Sequence, residues 1–269
     1  MIKPDSPIGL FDSGVGGLTV AGAIRNILPF EKMIYFGDTA HLPYGDKSKE
    51  TIIQYSLKIA AFLLSKNCKV ILIACNSASS NAFEEVREFV GNRAMVMNVI
   101  DPVTSYVAGN TDAKNVGVIG TKATISSGKY SRDIYAKNRS IEVSPLATPL
   151  LVAMIEEGFI FDDISNAVIK SYLSRKELEG IDTLILGCTH YPIIKNQISK
   201  FFNFEVNVID SAKIVAEKLH EILLEKKLLN NSGEKQEHEF FVSDHTEYFG
   251  IIAKMFFGEK INLKKISLE

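Results

Sequence analysis

Two apolar runs that each end in a cysteine most constrain how this chain can fold. One reads Val70-Ile71-Leu72-Ile73-Ala74-Cys75-Asn76-Ser77, the other Leu184-Ile185-Leu186-Gly187-Cys188-Thr189-His190. A short apolar run bounded by polar turn residues describes a strand buried on both faces. Such strands belong to parallel sheets covered by helices. Ligands of parallel α/β sheets bind in the loops after the strands' C-terminal ends. Two thiols presented from two such loops point to chemistry on opposite sides of one small molecule.

The rest of the chain continues the alternation of strand and helix, which predicts an α/β architecture with mainly parallel sheets. Residues 8–11, 33–36, 96–100, 116–119, 141–143 and 206–209 read as further strands, with a last one at 240–242. Helices are expected from Leu18 and behind Ser48, whose hydroxyl is placed to cap a helix with Ile53, Leu57, Ala60 and Leu64 on one face. Others run from the Cys75 turn through Val86 and Phe89, around Leu150, Leu151 and Ile155, behind Ser211 as cap, and over about 248–257. Residues 230–237 are polar and read as an exposed loop. Each half holds one strand–Cys–helix unit. This weak internal symmetry predicts two similar lobes facing each other across a cleft, which suits a small ligand. One continuous sheet with both cysteines along one edge would satisfy the same pattern.

Composition narrows the function classes. A chain of 269 residues with 46% hydrophobic and 23% charged residues has a real core and room for one large or two medium domains. A formal net charge of −2 offers no electrostatic case for nucleic acid or an anionic membrane. No run approaches the roughly 18–20 apolar residues of a membrane span. Three cysteines without a CxxC suggest neither a disulfide framework nor a zinc ribbon. The odd count, with no apolar leader segment, predicts a reducing, cytoplasmic setting. No histidine spacing of the H-E-x-x-H kind is present, so no metal site is expected.

Each candidate site residue also has a plainer role. Cysteine is most often a small core hydrophobe, and Cys68 fits that description. Cys75 and Cys188 differ because polar turns follow them directly. Unpaired N–H groups at a helix start would favour the thiolate and lower its pKa. Asp12-Ser13-Gly14-Val15-Gly16-Gly17 is not a dinucleotide fingerprint, since Thr19 stands where the last glycine is required. It reads as a glycine-rich turn whose N–H groups could approach a carboxylate. Asp12 could contact an ammonium group or orient a neighbour, or simply cap the helix. His190 could be a turn residue, a general acid/base, or a group that tunes the Cys188 thiol. The Glu156-Glu157 pair reads by pattern as a solvated helix face.

Five stretches carry a family resemblance. They are Gly9-Leu10-Phe11-Asp12-Ser13-Gly14-Val15-Gly16-Gly17-Leu18, Gly37-Asp38-Thr39-Ala40-His41-Leu42-Pro43-Tyr44-Gly45, Ala74-Cys75-Asn76-Ser77-Ala78-Ser79, Gly120-Thr121-Lys122-Ala123-Thr124 and Leu186-Gly187-Cys188-Thr189-His190-Tyr191-Pro192. In these motifs and their order the chain resembles the glutamate racemases, cofactor-independent enzymes that supply D-glutamate for peptidoglycan. One departure is Ser77, where the family usually has threonine; the hydroxyl survives. The resemblance implies two α/β domains, residues 1–99 with 211–269 carrying Cys75, and residues 100–210 carrying Cys188. It places the active site between them and implies glutamate as substrate, no cofactor and a homodimer. It further implies substrate contacts at Asp12, Ser13, Tyr44, Gly45, Asn76, Ser77, Thr189 and His190. Asp12, Glu156 and His190 would assist the two thiols, Cys75 serving the D-enantiomer and Cys188 the L-enantiomer.

That chemistry needs a base and an acid on opposite faces of Cα. Two thiols suffice if one is a thiolate and the other protonated. Fixed donors at the substrate carboxylate would offset the developing carbanion charge. Three other readings compete: a racemase acting on aspartate, a two-lobed small-molecule binding protein, and a thiol hydrolase with Cys188 as nucleophile and His190 as base. The hydrolase needs one cysteine, the racemase both.

Overall fold

A computed structural model describes residues 2–268. Among the described residues ten strands form two sheets, and every pairing between neighbours is parallel. The strands are β1 (Ile8–Asp12), β2 (Met33–Gly37), β3 (Val70–Ile73), β4 (Met95–Asn98), β5 (Asn115–Gly120), β6 (Glu142–Ala147), β7 (Thr183–Gly187), β8 (Asn207–Ile209), β9 (Glu239–Val242) and β10 (Leu263–Lys265). The first sheet has the order β10-β9-β2-β1-β3-β4, and the second β6-β5-β7-β8. The expected two-lobed α/β architecture is thus present. The single continuous sheet is not.

The central strands β1, β2, β3 and β7 are buried along their whole length, as their unbroken apolar runs require. The strand order then fixes where a ligand can enter. In the first sheet the chain passes from β1 to β2 on one side and returns to β3 on the other. The switch point falls between β1 and β3, whose C-terminal ends lead into Asp12-Ser13 and Cys75. The second sheet repeats this between β5 and β7, whose ends lead into Thr121 and Cys188. Each cysteine therefore stands at the crevice of its own sheet.

Several local expectations change in the structure. The helix behind residue 210 is capped by Asp210, whose carboxylate accepts the Ala212 N–H at 2.9 Å, and not by Ser211. The better acceptor sits one residue earlier. Ser48 caps its helix as expected, accepting from the Thr51 N–H at 3.3 Å. The strand expected at 141–143 extends to Ala147 through Pro145. It is an edge strand, where the missing proline N–H leaves no ladder bond unmade. The helix behind Cys75 is two helices, Asn76–Asn81 and Phe83–Val90. The 240–242 run is not the last strand, because β10 follows the helix Glu247–Phe257 and pairs with β9. No described helix is long and apolar enough to cross a membrane.

Candidate active site

Both thiols line one cavity of about 250 Å³ between the two lobes. It is slightly smaller than the usual pocket for a drug-sized molecule, the right scale for a small metabolite. Ser13, Tyr44, Gly45, Cys75, Asn76 and Ser77 form the wall from the first lobe. Glu156, Cys188, Thr189 and His190 form it from the second. Of the residues expected at the site, only Asp12 stands behind this wall.

Cys75 is 5% exposed and immediately precedes the helix Asn76–Asn81. Its thiol points at the Ser13 hydroxyl, 3.5 Å away. The expected depression of its pKa does not occur. Burial, and then the Asp12 carboxylate, push the Cys75 thiol up to about 12, against the lowering pull of Ser13 and the Ala78 N–H. A short helix start is outweighed by desolvation and a neighbouring anion. Cys68 is buried in the same lobe's core, and burial pushes its thiol up to about 12. It behaves as the structural cysteine that its surroundings predicted.

Asp12 is fully buried. Its Oδ2 accepts the Gly14 N–H at 3.0 Å, and its Oδ1 accepts the Thr189 hydroxyl at 3.4 Å. Burial raises its pKa, and the opposing pull of His190 and of the Gly14 and Gly17 N–H groups does not cancel that. The glycine turn holds Asp12 through the Gly14 N–H, and of the turn's residues Ser13 lines the cavity. Nor does Asp12 cap the helix Leu18–Ile27, which begins behind Gly17 without a side-chain cap. Gly16 is glycine because the other lobe comes so close: a Cβ there would lie 2.5 Å from the His190 ring.

Cys188 has different company. Its Sγ lies 3.7 Å from His190 Nδ1, and His190 Nε2 lies 2.9 Å from Glu156 Oε1. Burial disfavours a charged imidazole, but hydrogen bonds and charge from Cys188 and Glu156 prevail and raise the His190 pKa well above its ordinary value. Glu156 ends the helix Leu150–Glu156 and is 24% exposed, whereas Glu157 faces solvent. The solvated-face reading thus holds for Glu157 alone. Phe256 packs edge-on against the His190 ring at 5.1 Å.

The remaining wall is polar and cross-braced. The Tyr44 hydroxyl donates to buried Asp38 at 2.6 Å, which also accepts from the Ser243 hydroxyl at 2.7 Å. Ser77 and Thr121 join their hydroxyls across the lobes at 2.8 Å. Asn76 is 3% exposed, and its Nδ2 has no hydrogen-bond partner among the described residues. A buried donor without a partner costs about 1–3 kcal/mol, which an anionic ligand in the cavity would recover. Sequence reasoning did not assign Thr121, Pro149, Val152 or Ala153 to the wall. Thr121 follows β5 as Cys188 follows β7, and Pro149, Val152, Ala153 and Glu156 share one helix face by their spacing. Those signals were available, but only the sheet order gives them meaning.

A family model described as Asp/Glu/Hydantoin racemase matches residues 19–219. A glutamate racemase from Geobacter metallireducens is 42% identical over 267 residues, covering 99% of this chain and 98% of the relative. Among solved structures, a glutamate racemase from Francisella tularensis in complex with D-glutamate is 41% identical, with a TM-score of 0.92 and 99% of each chain covered. A glutamate racemase isoform from Bacillus anthracis is 33% identical, with a TM-score of 0.93 and 98% of each chain covered. With both switch-point thiols lining one cavity, the chain belongs to the Asp/Glu/Hydantoin racemase family and, within it, to the glutamate racemases.

Proposed function

We propose that this protein interconverts L- and D-glutamate by a two-thiol acid–base mechanism without a cofactor, supplying D-glutamate for peptidoglycan. The observation that carries the reading is the pair of cysteines, one from each sheet's crevice, on one small cavity. The names of the relatives and the D-glutamate bound to one of them support glutamate as substrate.

In this reading the substrate lies between Cys75 and Cys188. Cys188 takes the α-proton of L-glutamate while the Cys75 thiol returns one to the opposite face. The two exchange roles for D-glutamate. His190, held by Glu156, offers a positive charge beside Cys188 Sγ. The hydroxyls of Ser13, Ser77 and Thr189 provide fixed dipoles as charge builds on Cα, and the partnerless Nδ2 of Asn76 binds the substrate's α-carboxylate equally before and during the reaction. Tyr44 and Gly45 complete the binding wall, and Asp12 acts on the chemistry through Cys75 and Thr189. We assign residues 1–99 with 211–269 to one domain and 100–210 to the other, supported by the membership of the two sheets. Of these, Met1 and Glu269 lie outside the described residues. Three free, buried thiols suit the reducing cytoplasm included in the reading. The homodimer is tested by the mass of the protein in solution.

A second reading has one observation in its favour. Cys188, His190 and Glu156 are arranged as nucleophile, base and orienting carboxylate, which a thiol hydrolase would use. Incubation with L-glutamate in D₂O decides between them. Racemisation predicts deuterium at Cα and decay of optical rotation to zero. A hydrolase predicts neither.

A further inference from the structure

Tyr130 lies outside the sequence motifs, yet it meets both the residue after Cys75 and the residue before Cys188. It sits in the helix Lys129–Lys137 of the second lobe and is 3% exposed. Its hydroxyl donates to Asn76 Oδ1 at 2.7 Å, across the lobe boundary. Its ring rests against Gly187, the residue before Cys188. A Cβ on Gly187 would lie 3.3 Å from Tyr130 Cε2 and 2.8 Å from the Ile119 carbonyl, so glycine keeps the seat for the ring open.

The orientation of Asn76 decides what its amide offers the cavity. A primary amide has an acceptor end and a donor end of nearly the same shape, and its surroundings determine which faces where. A phenol that donates to Oδ1 turns Nδ2 the other way. That Nδ2 is buried, belongs to a cavity-lining residue, and has no partner among the described residues. Burial, with the Cys188 charge adding to it, raises the Tyr130 pKa, so the phenol keeps its proton and remains a donor.

We propose that Tyr130 is a positioning residue for substrate: it holds the Asn76 amide so that the N–H end, not the oxygen, meets the substrate carboxylate. This rests on the glutamate racemase reading above. It adds a specificity device. A fixed donor accepts a carboxylate and disfavours the corresponding carboxamide, whereas an amide free to turn discriminates less.

The test is a double-mutant cycle on the full chain. Tyr130→Phe keeps every ring contact and removes only the hydroxyl. The KM for both enantiomers of glutamate should rise about tenfold while kcat stays within about threefold, the pattern of a lost binding contact. In an Asn76→Ala background the same change should move KM by less than about twofold, because the group it positions is gone. The α-amide of glutamate, tested as a competitive inhibitor, should bind the Tyr130→Phe protein better relative to glutamate than it binds the native protein, whereas glutamine, changed only at the side-chain carboxyl, should not. An unchanged KM in Tyr130→Phe, or an equal increase in both backgrounds, would overturn the proposal. The native protein in the same assay separates the two levels of inference. If it exchanges no α-proton of glutamate, the functional reading fails. If it is active and the cycle is additive, only the role of Tyr130 fails.

Discussion

The two thiol sites begin from the same local design and end in opposite electrostatic surroundings. Each cysteine follows a fully buried parallel strand at its sheet's switch point. Cys75 then meets a carboxylate and a hydroxyl, Asp12 and Ser13, and its thiol is pushed up to about 12. Cys188 meets an imidazole whose protonated form is favoured and which Glu156 holds in place. Pseudo-symmetry of the backbone supplies two faces. Asymmetry of the neighbours raises the pKa of one thiol and puts the other beside an imidazole whose protonated form is favoured. On the two-thiol reading, one thiol must start as base and the other as acid, and unlike neighbours favour that start in one direction.

The largest test removes a thiol from either side. Cys75→Ser and Cys188→Ser should each lower racemisation by about 10²–10⁴-fold, since a hydroxyl is a far weaker acid and base. Each variant should still exchange the α-proton of a one-handed substrate analogue, Cys75→Ser with the L-form and Cys188→Ser with the D-form. This is read as deuterium incorporation. Full racemisation in Cys75→Ser with none in Cys188→Ser would break the comparison and restore the single-nucleophile reading.

A sharper test changes the neighbours and leaves the thiols in place. Asp12 holds the Cys75 thiol up, so Asp12→Asn should lower that pKa. On the two-thiol reading Cys75 acts as thiolate in the D-to-L direction, so the rising limb of the pH profile should move to lower pH. Glu156 holds the His190 pKa up, so Glu156→Gln should lower it. His190 then loses its proton at lower pH, and the falling limb of the L-to-D profile should move to lower pH. Equal movement of both limbs in both variants would mean that the two sites titrate as one.

The smallest effect is expected at the third cysteine. Cys68→Ser places a hydroxyl in an apolar core and should cost about 1–3 kcal/mol of stability in a denaturant titration. Activity of the folded variant should stay within about twofold of native, as expected of a side chain remote from the cavity. A large loss of kcat would extend the thiol chemistry beyond the two switch points.

Local order explains what was legible before the structure. Unbroken apolar runs fix strands, and a polar turn directly after such a run marks a loop that can bind. Cys75, Asn76, Ser77, Cys188, Thr189 and His190 all lie within two residues of a strand end or helix start, so period and punctuation were enough to find them. The strand β10 was not legible. Its run 263–265 is short, two of its three residues are lysines, and only pairing with β9 makes it a strand. Glu156 was not legible from pattern either. Beside Glu157 it looks like half of a solvated pair, and the turn of its helix toward His190 is a property of packing.

The sequence by itself determined the two strand–thiol units, their polar turns and the α/β class, because these follow from backbone period and side-chain chemistry within a few residues. Only the tertiary structure decided which groups far apart in sequence come together around the cleft. Asp12 reaches Cys75 and Thr189, Glu156 reaches His190, and Tyr130 reaches Asn76, over separations of 34 to 177 residues. It also raised the pKa of the Cys75 thiol. The physical reason is that a pKa depends on burial and on every nearby charge, whatever part of the chain supplies it.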